Sequence, residues 1–118
     1  MPIPKYQEMM LPLLRYLSDG EKHTTKELYC YLSIFFNLTE EEVKQKMLNR
    51  NHGIFYDRLG WAKLYLQKAK LIESVARSTL KITSRGKEVL EDINLSELSP
   101  SFLVQFPEFE LFLRKATR

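Results

Sequence analysis

The feature of this sequence that most restricts its fold is a change of hydrophobic period near the middle of the chain. Apolar residues recur at helical spacing from about 54 to 70, whereas 71–75 and 80–83 are two short runs typical of β-strands. The small polar segment 76–79 between these runs predicts a hairpin, although it lacks an Asn-Gly pair. The helical stripe consists of Phe55, Leu59, Ala62, Leu66 and Ala69. A long amphipathic helix that leads directly into a hairpin is compatible with few small folds.

The segment before this helix begins with a second helical pattern, which covers 9–17 and ends at Asp19-Gly20. Pro12 lies inside this pattern and lacks the N–H that a helix interior needs. Two alternatives follow. Either the regular helix starts near Met9, with the proline in its first turn, or the helix kinks at Pro12.

Two capping boxes come next, each a threonine with a glutamate three positions later. Thr24 and Glu27 predict a helix over roughly 25–36. Thr39 and Glu42 predict a short helix that ends near residue 48. We expect several side chains of these helices and of the long helix to be buried: Leu28, Cys30, Leu32, Phe35 and Trp61.

The chain ends in a helical, apolar segment. Another helix is predicted to open at Thr83 or Ser84, and Pro100 and Pro107 are each suited to the first turn of a short helix. The predicted fold class is therefore mainly α with a small β-hairpin, a winged helix-turn-helix with additional C-terminal helices. The three-helix core and its wing, the hairpin, would occupy 1–93, and a linker with an apolar helical tail would occupy 94–118.

Charge is concentrated in the middle third of the chain. Residues 44–87 contain eleven basic and two acidic residues, a net charge of +9, while 1–43 and 88–118 each carry −3. Such asymmetry is typical of a polyanion-binding surface, and a solvated lysine-rich helix face is the alternative. Because the long helix and the wing are the basic elements, the pattern favours double-stranded DNA as the partner. The helix would enter the major groove and the wing would reach phosphates.

The predicted DNA-binding residues come from these two elements. Arginine suits the guanine edge and lysine suits a phosphate, and short polar side chains at a turn can bond the backbone. The predicted set is Asn51, Tyr56, Arg58, Lys63, Gln67, Lys68, Arg77, Ser78, Thr79 and Lys81.

Catalytic and metal-binding patterns are not found. Cys30 has no obvious partner base, and the two histidines with one cysteine have no zinc-site spacing. We therefore predict no catalytic residue, metal or cofactor. No apolar run is long enough to cross a bilayer, so no membrane partner is predicted, and a single cysteine fits a reducing cytoplasm.

Three segments resemble a known family. They are 6–17, the stretch Arg58-Leu59-Gly60-Trp61-Ala62 with its flanks, and 80–87. Over roughly 3–93 the chain resembles the N-terminal domain of Mrr-type restriction endonucleases. The resemblance implies a winged helix that recognises modified, usually methylated, DNA and precedes a C-terminal nuclease domain of the PD-(D/E)xK type in the same parent chain.

The nuclease motif itself has no counterpart in this sequence. The single E-x-K triplet is Glu42-Val43-Lys44, in a predicted helix and without an upstream Pro-Asp. We therefore expect this chain to recognise DNA and not to cleave it. Two alternatives remain, a winged-helix protein-interaction module and a small transcription regulator that forms a homodimer through the tail. The tail favours both, because exposed phenylalanines near a terminus often dock on another subunit.

Overall fold

The computed structural model describes residues 3–41 and 53–116. This part of the chain is mostly helical with a small antiparallel sheet, as predicted. The helices are α1 (Tyr6–Tyr16), α2 (Thr25–Phe35), α3 (Ile54–Lys68), α4 (Ser84–Val89), α5 (Pro100–Leu103) and α6 (Pro107–Ala116). The strands are β1 (His23–Thr24), β2 (Ile72–Ala76) and β3 (Thr79–Ile82), and a short 3₁₀ turn covers Leu17–Asp19.

Side-chain caps start the helices where the sequence predicts them. The Thr24 hydroxyl accepts a hydrogen bond from the Glu27 N–H at 3.1 Å, and the Glu27 carboxylate accepts one from the Thr24 N–H at 3.2 Å. The Thr83 hydroxyl accepts the Gly86 N–H at 3.1 Å, and the two tail prolines open α5 and α6. Each cap satisfies N–H groups that the first helical turn leaves without a partner. The second capping box, at Thr39 and Glu42, reaches outside the described residues.

Helix α1 begins earlier than one alternative allowed. Its first turn is closed by Lys5, whose N–H donates to the Glu8 carboxylate at 3.2 Å and whose carbonyl accepts the Glu8 N–H at 3.0 Å. The helix therefore starts at Tyr6, Pro12 lies in its interior, and the interpretation that it starts near Met9 is wrong. The proline lacks the N–H that would bond the carbonyl of Glu8.

One hydrophobic core joins the helices, the sheet and the tail. The predicted stripe of α3 is at most 1% exposed, and α1 packs on it with fully buried Met and Leu side chains. From the tail, Leu98, Leu103 and Phe109 are also completely buried in this core. The expectation of exposed tail phenylalanines is therefore wrong: Phe109 is buried, and Phe102, Phe106 and Phe112 are half-buried.

The sheet has a third strand that the sequence did not predict. Its order is β1-β3-β2, with His23 opposite Leu80 and Thr24 opposite Thr79. β1 is only two residues long, which is too short for any periodic signal. Its pairing brings the beginning of α2 against the tip of the wing, where the Thr25 N–H donates to the Ser78 carbonyl at 2.9 Å.

Three side chains predicted to be buried are exposed. Cys30 lies two positions after Leu28, roughly on the opposite side of α2 at 3.6 residues per turn. Phe35 is 52% exposed, because α2 ends there and the next residue, Phe36, packs on the core instead. Trp61 is 53% exposed on a flank of α3, with its ring edge-on to Tyr65. Within 3–41 and 53–116, no helix is both long and apolar enough to cross a bilayer.

Candidate nucleic-acid interface

A polar groove runs between α3 and the wing. Its central part has a volume of about 380 Å³ and is open to solvent on one side. We call it the wing groove, and it is lined by Thr25, Gly60, Lys63, Leu64, Gln67, Ser74, Ser78, Thr79 and Leu80. Through Thr25 and Ser78 it continues into a second concavity beside Tyr56, Lys26 and Tyr29. Among the lining side chains that the structure describes, both parts together contain two lysines and no acidic residue.

Lys63 is the central cation of the wing groove. Its ammonium donates a hydrogen bond to the Thr25 hydroxyl at 3.3 Å. The side chain is half-buried, and this burial lowers the pKa of Lys63 below its usual value. No acidic side chain of the described residues pairs with it. A half-buried ammonium without a counter-ion favours the approach of an anion.

The side chains of α3 separate into two flanks. Lys63 follows Arg58 by five residues, so the two point about 140° apart around the helix axis. Tyr56 and Gln67 lie on the Lys63 flank, toward the wing. Tyr56 is 48% exposed and its ring lies 6.1 Å from that of Tyr29, on α2. Three of the predicted α3 residues are therefore brought together on one side of the helix.

Arg58 lies on the other flank and holds the N-terminal segment. Its guanidinium donates to the Ile3 carbonyl at 2.8 Å and to the Pro4 carbonyl at 3.3 Å. On this flank it borders a shallow pocket with Trp61 and Tyr65. The structure does not place Arg58 with Lys63 in the wing groove.

Two further cations of the basic segment contact the tail. The Lys68 ammonium lies 5.5 Å from the ring centroid of Phe112, a cation–π arrangement. Arg85 donates to the Ala69 carbonyl and to the Glu108 carboxylate, each at 2.9 Å. The Arg85 hydrogen bonds lower the pKa of the Glu108 carboxyl. Two of the cations in the basic segment thus make contacts within the domain. The surface available to DNA therefore carries less positive charge than the sequence total of +9.

The wing residues differ in their surroundings. Arg77 is exposed at the tip, and Ser78 adopts a left-handed conformation with φ of 54°, which makes the turn without an Asn-Gly pair. Ser78 and Thr79 line the wing groove. Lys81 lies between the buried Leu80 and Ile82, so it points to the outer face of the sheet.

Lys81 also has an acidic neighbour across the hairpin. The strand register places Glu73 directly opposite it, which weakens the positive potential on that face.

Of the ten predicted residues, Asn51 lies outside the described part of the chain.

Sequence reasoning missed several lining residues of the groove. Thr25 and Lys26 belong to the start of α2, and Ser74 belongs to β2. The pairing of β1 with β3 brings Thr25 and Lys26 to the wing side of the groove, and a two-residue strand leaves no sequence signal. Gly60 could have been found from the sequence, since a glycine inside an otherwise regular helix suggests that another group comes close to the helix backbone.

Within the described ranges no group of three or more histidine, cysteine or acidic side chains is arranged to hold a metal ion.

Comparison with known proteins identifies the family of this domain. No curated protein and no solved structure is significantly similar to the chain. The sequence model of one family, described as the Mrr N-terminal domain, matches residues 6–92. The match includes α1 to α4, both sides of the wing groove and the wing itself. It covers more than half of the sequence and agrees with the resemblance seen in the residues. This chain therefore belongs to the Mrr N-terminal domain family, which associates it with Mrr-type restriction systems.

Proposed function

We propose that this domain binds double-stranded DNA through the wing groove and serves as the target-recognition part of an Mrr-type restriction system. The observation that carries the proposal is Lys63, a half-buried ammonium in a polar groove whose described lining residues include no acidic side chain. A duplex presents a phosphate every few ångströms along each strand. Contact with a phosphate would give the half-buried ammonium the negative counter-charge that favours its charged form. Methylated DNA is the target that the family resemblance implies.

The shape of the interface supports a duplex as the ligand. An α-helix fits the major groove of B-DNA, and the polar flank of α3 beside the wing is partly exposed. Short hydroxyl and amide side chains line the space between the two elements, and such groups bond phosphate oxygens and base edges. The proposed interface consists of Thr25, Lys26, Tyr56, Lys63, Gln67, Arg77, Ser78 and Thr79.

Arg58 and Lys68 are left out of the proposed interface. The Arg58 guanidinium already bonds two backbone carbonyls, and the Lys68 ammonium lies over a tail ring. Lys81 is left out because its side chain lies on the outer face of the sheet, away from α3, and because Glu73 lies opposite it on β2. Asn51 remains a prediction from the sequence.

The domain would bind and a separate domain would cut. The matched family is an N-terminal domain, and the resemblance implies a nuclease domain further along the parent chain. We propose that this chain contributes recognition only. Incubation with Mg²⁺ and either methylated or plain duplex should leave both intact; nicking that disappears when one residue of this chain is substituted would contradict that division of labour.

The test compares two lysines of the same helix. Fluorescence anisotropy with a labelled duplex is expected to show binding by the native protein and weaker binding by Lys63→Gln. Lys68→Gln, which removes the same charge at a position of α3 that contacts the tail, should bind like the native protein. Thermal melts of both variants serve as the folding control. Absence of native binding at low salt, or equal effects of the two substitutions, would contradict the proposal.

A further inference from the structure

Gly60 lies in the middle of α3 and on the wall of the wing groove. A glycine inside a helix weakens it relative to alanine, because the free backbone loses more conformational freedom on folding. Its backbone is helical and does not require glycine, unlike Gly20, whose φ is +79°. The conformation of α3 therefore gives no reason for a glycine at this position.

Packing within the described chain gives no reason either. Beyond its two chain neighbours and the nearby backbone of its own helix, a Cβ atom added at Gly60 would meet no heavy atom of the described residues within 4 Å. At Gly86, by contrast, an added Cβ would collide with the Leu71 carbonyl oxygen and with Ile82 Cγ1. Gly86 is thus explained by a neighbour that touches it, and Gly60 opens onto free space in the groove.

The side chains around Gly60 suit an anionic strand. Lys63 lies one turn further along α3, and the opposite wall carries Ser74, Ser78 and Thr79 from the wing. All four of these side chains are polar, and none is acidic. Because Gly60 has no side chain, the groove wall has a gap beside Lys63. A bulky ligand strand can contact the backbone of α3 there.

We propose that the sugar–phosphate backbone of one DNA strand passes over Gly60, with a phosphate bound by Lys63. The inference deepens the proposed function and rests on it. The absence of a side chain lets the strand approach α3 closely enough for the half-buried Lys63 ammonium to reach a phosphate, while the wing lines the other side of the strand. Without the glycine, the strand would be held away from the helix by the length of the new side chain.

The experiment enlarges this position in steps. Gly60→Ala and Gly60→Leu are compared with Ser96→Leu, which adds the same apolar side chain at an exposed loop position outside the groove. Anisotropy titrations should show Gly60→Leu binding duplex at least about tenfold more weakly, with a smaller loss for Gly60→Ala. Ser96→Leu should bind like the native protein. Thermal melts should show Gly60→Ala to be no less stable than the native chain.

The outcomes separate this inference from the proposed function. If native protein binds DNA and Gly60→Leu binds equally well, the strand does not pass over Gly60, although DNA binding stands. If native protein does not bind duplex at all, the proposed function fails and the inference fails with it. Should Gly60→Leu not fold, Gly60→Gln replaces it, because its side chain is of similar length and fills the gap without exposing an apolar end to solvent. Unchanged affinity of a folded Gly60→Gln would overturn the inference equally.

Discussion

Lys63 of α3 donates a hydrogen bond to the hydroxyl of Thr25, the first residue of α2, over 3.3 Å. The backbone N–H of the same threonine donates to the carbonyl of Ser78 at the wing tip. Helix α2, helix α3 and the wing therefore meet at one residue. These two hydrogen bonds connect the elements that we propose to contact DNA, and such connections before binding reduce the entropy lost on binding.

Arg58 should matter for stability and not for DNA affinity. Arg58→Ala removes two hydrogen bonds from a charged donor to the Ile3 and Pro4 carbonyls, and we expect the free energy of unfolding to fall by about 1–3 kcal/mol. Urea denaturation measures this loss. Duplex titration of the folded variant should give the native affinity. A folded Arg58→Ala protein with reduced affinity, or with relaxed preference at one base pair, would restore the sequence-based prediction that Arg58 reads a base edge.

Replacement by alanine should have opposite effects on stability at Gly86 and at Gly60. Gly86→Ala places a methyl group against the Leu71 carbonyl and the Ile82 side chain, and overpacking of this kind typically costs about 1–3 kcal/mol. Gly60→Ala meets open space and should stabilise α3 by up to about 1 kcal/mol. Urea unfolding of both variants checks the prediction. Equal losses of stability would show that the surroundings of the two glycines do not differ as described.

The tail should contribute to the stability of the whole domain. Phe109 is fully buried, with its ring 5.3 Å from that of Tyr65 on α3. Phe109→Ala should lower the free energy of unfolding by about 3–5 kcal/mol, whereas Leu111→Ala, at a half-exposed position of the same helix, should change it by less than about 0.5 kcal/mol. Chemical denaturation gives these values. If Phe109→Ala leaves stability unchanged and instead dissociates a dimer in sedimentation, the tail serves a second copy of the chain.

His23 should make stability depend on pH above about 6.5, the usual pKa of histidine. Its ring nitrogens lie 2.8 Å from a Glu27 oxygen and 2.9 Å from an Asp19 oxygen, and these hydrogen bonds raise the pKa of His23 above its usual 6.5. Because the folded state holds the proton more tightly, its contribution is complete below pH 6.5 and is lost as the pH rises through the raised pKa. The free energy of unfolding should decline over that range in the native protein and not in His23→Gln. Parallel curves for the two proteins would exclude the histidine as the cause.

Local patterns in the sequence predicted the elements well. The buried stripe of α3 depends only on helical spacing, and the caps at Thr24 and Thr83 depend on residues three positions apart. Both signals lie within a few turns of chain, so no knowledge of the tertiary fold is needed. Within the described residues, and apart from β1, the kinds of element and their order followed from these signals.

The candidate site was harder to predict, because it depends on which flank of α3 faces the wing. Arg58 and Lys63 have the same charge, and each lies next to a stripe residue in the sequence. Only their long-range contacts distinguish them, those of Arg58 with the segment before α1 and that of Lys63 with Thr25. Thr25 enters the groove through β1, whose two residues have no periodicity. The spacing of residues along the chain does not predict non-local contacts of this kind.

The most direct test of DNA binding by the wing groove is the salt dependence of duplex affinity. Anisotropy titrations between 50 and 200 mM salt should show a steep linear fall of log affinity with log salt concentration, with a slope of about 0.9 for each phosphate contacted. Since Arg58 and Arg85 are engaged inside the fold, the loss should lie below the roughly 10³–10⁵-fold typical of six to ten contacts. Lys63→Gln and Arg77→Gln should each flatten the slope by about one unit, and Lys68→Gln should leave it unchanged. No binding at 50 mM salt, or a slope that Lys63→Gln does not alter, would contradict the account.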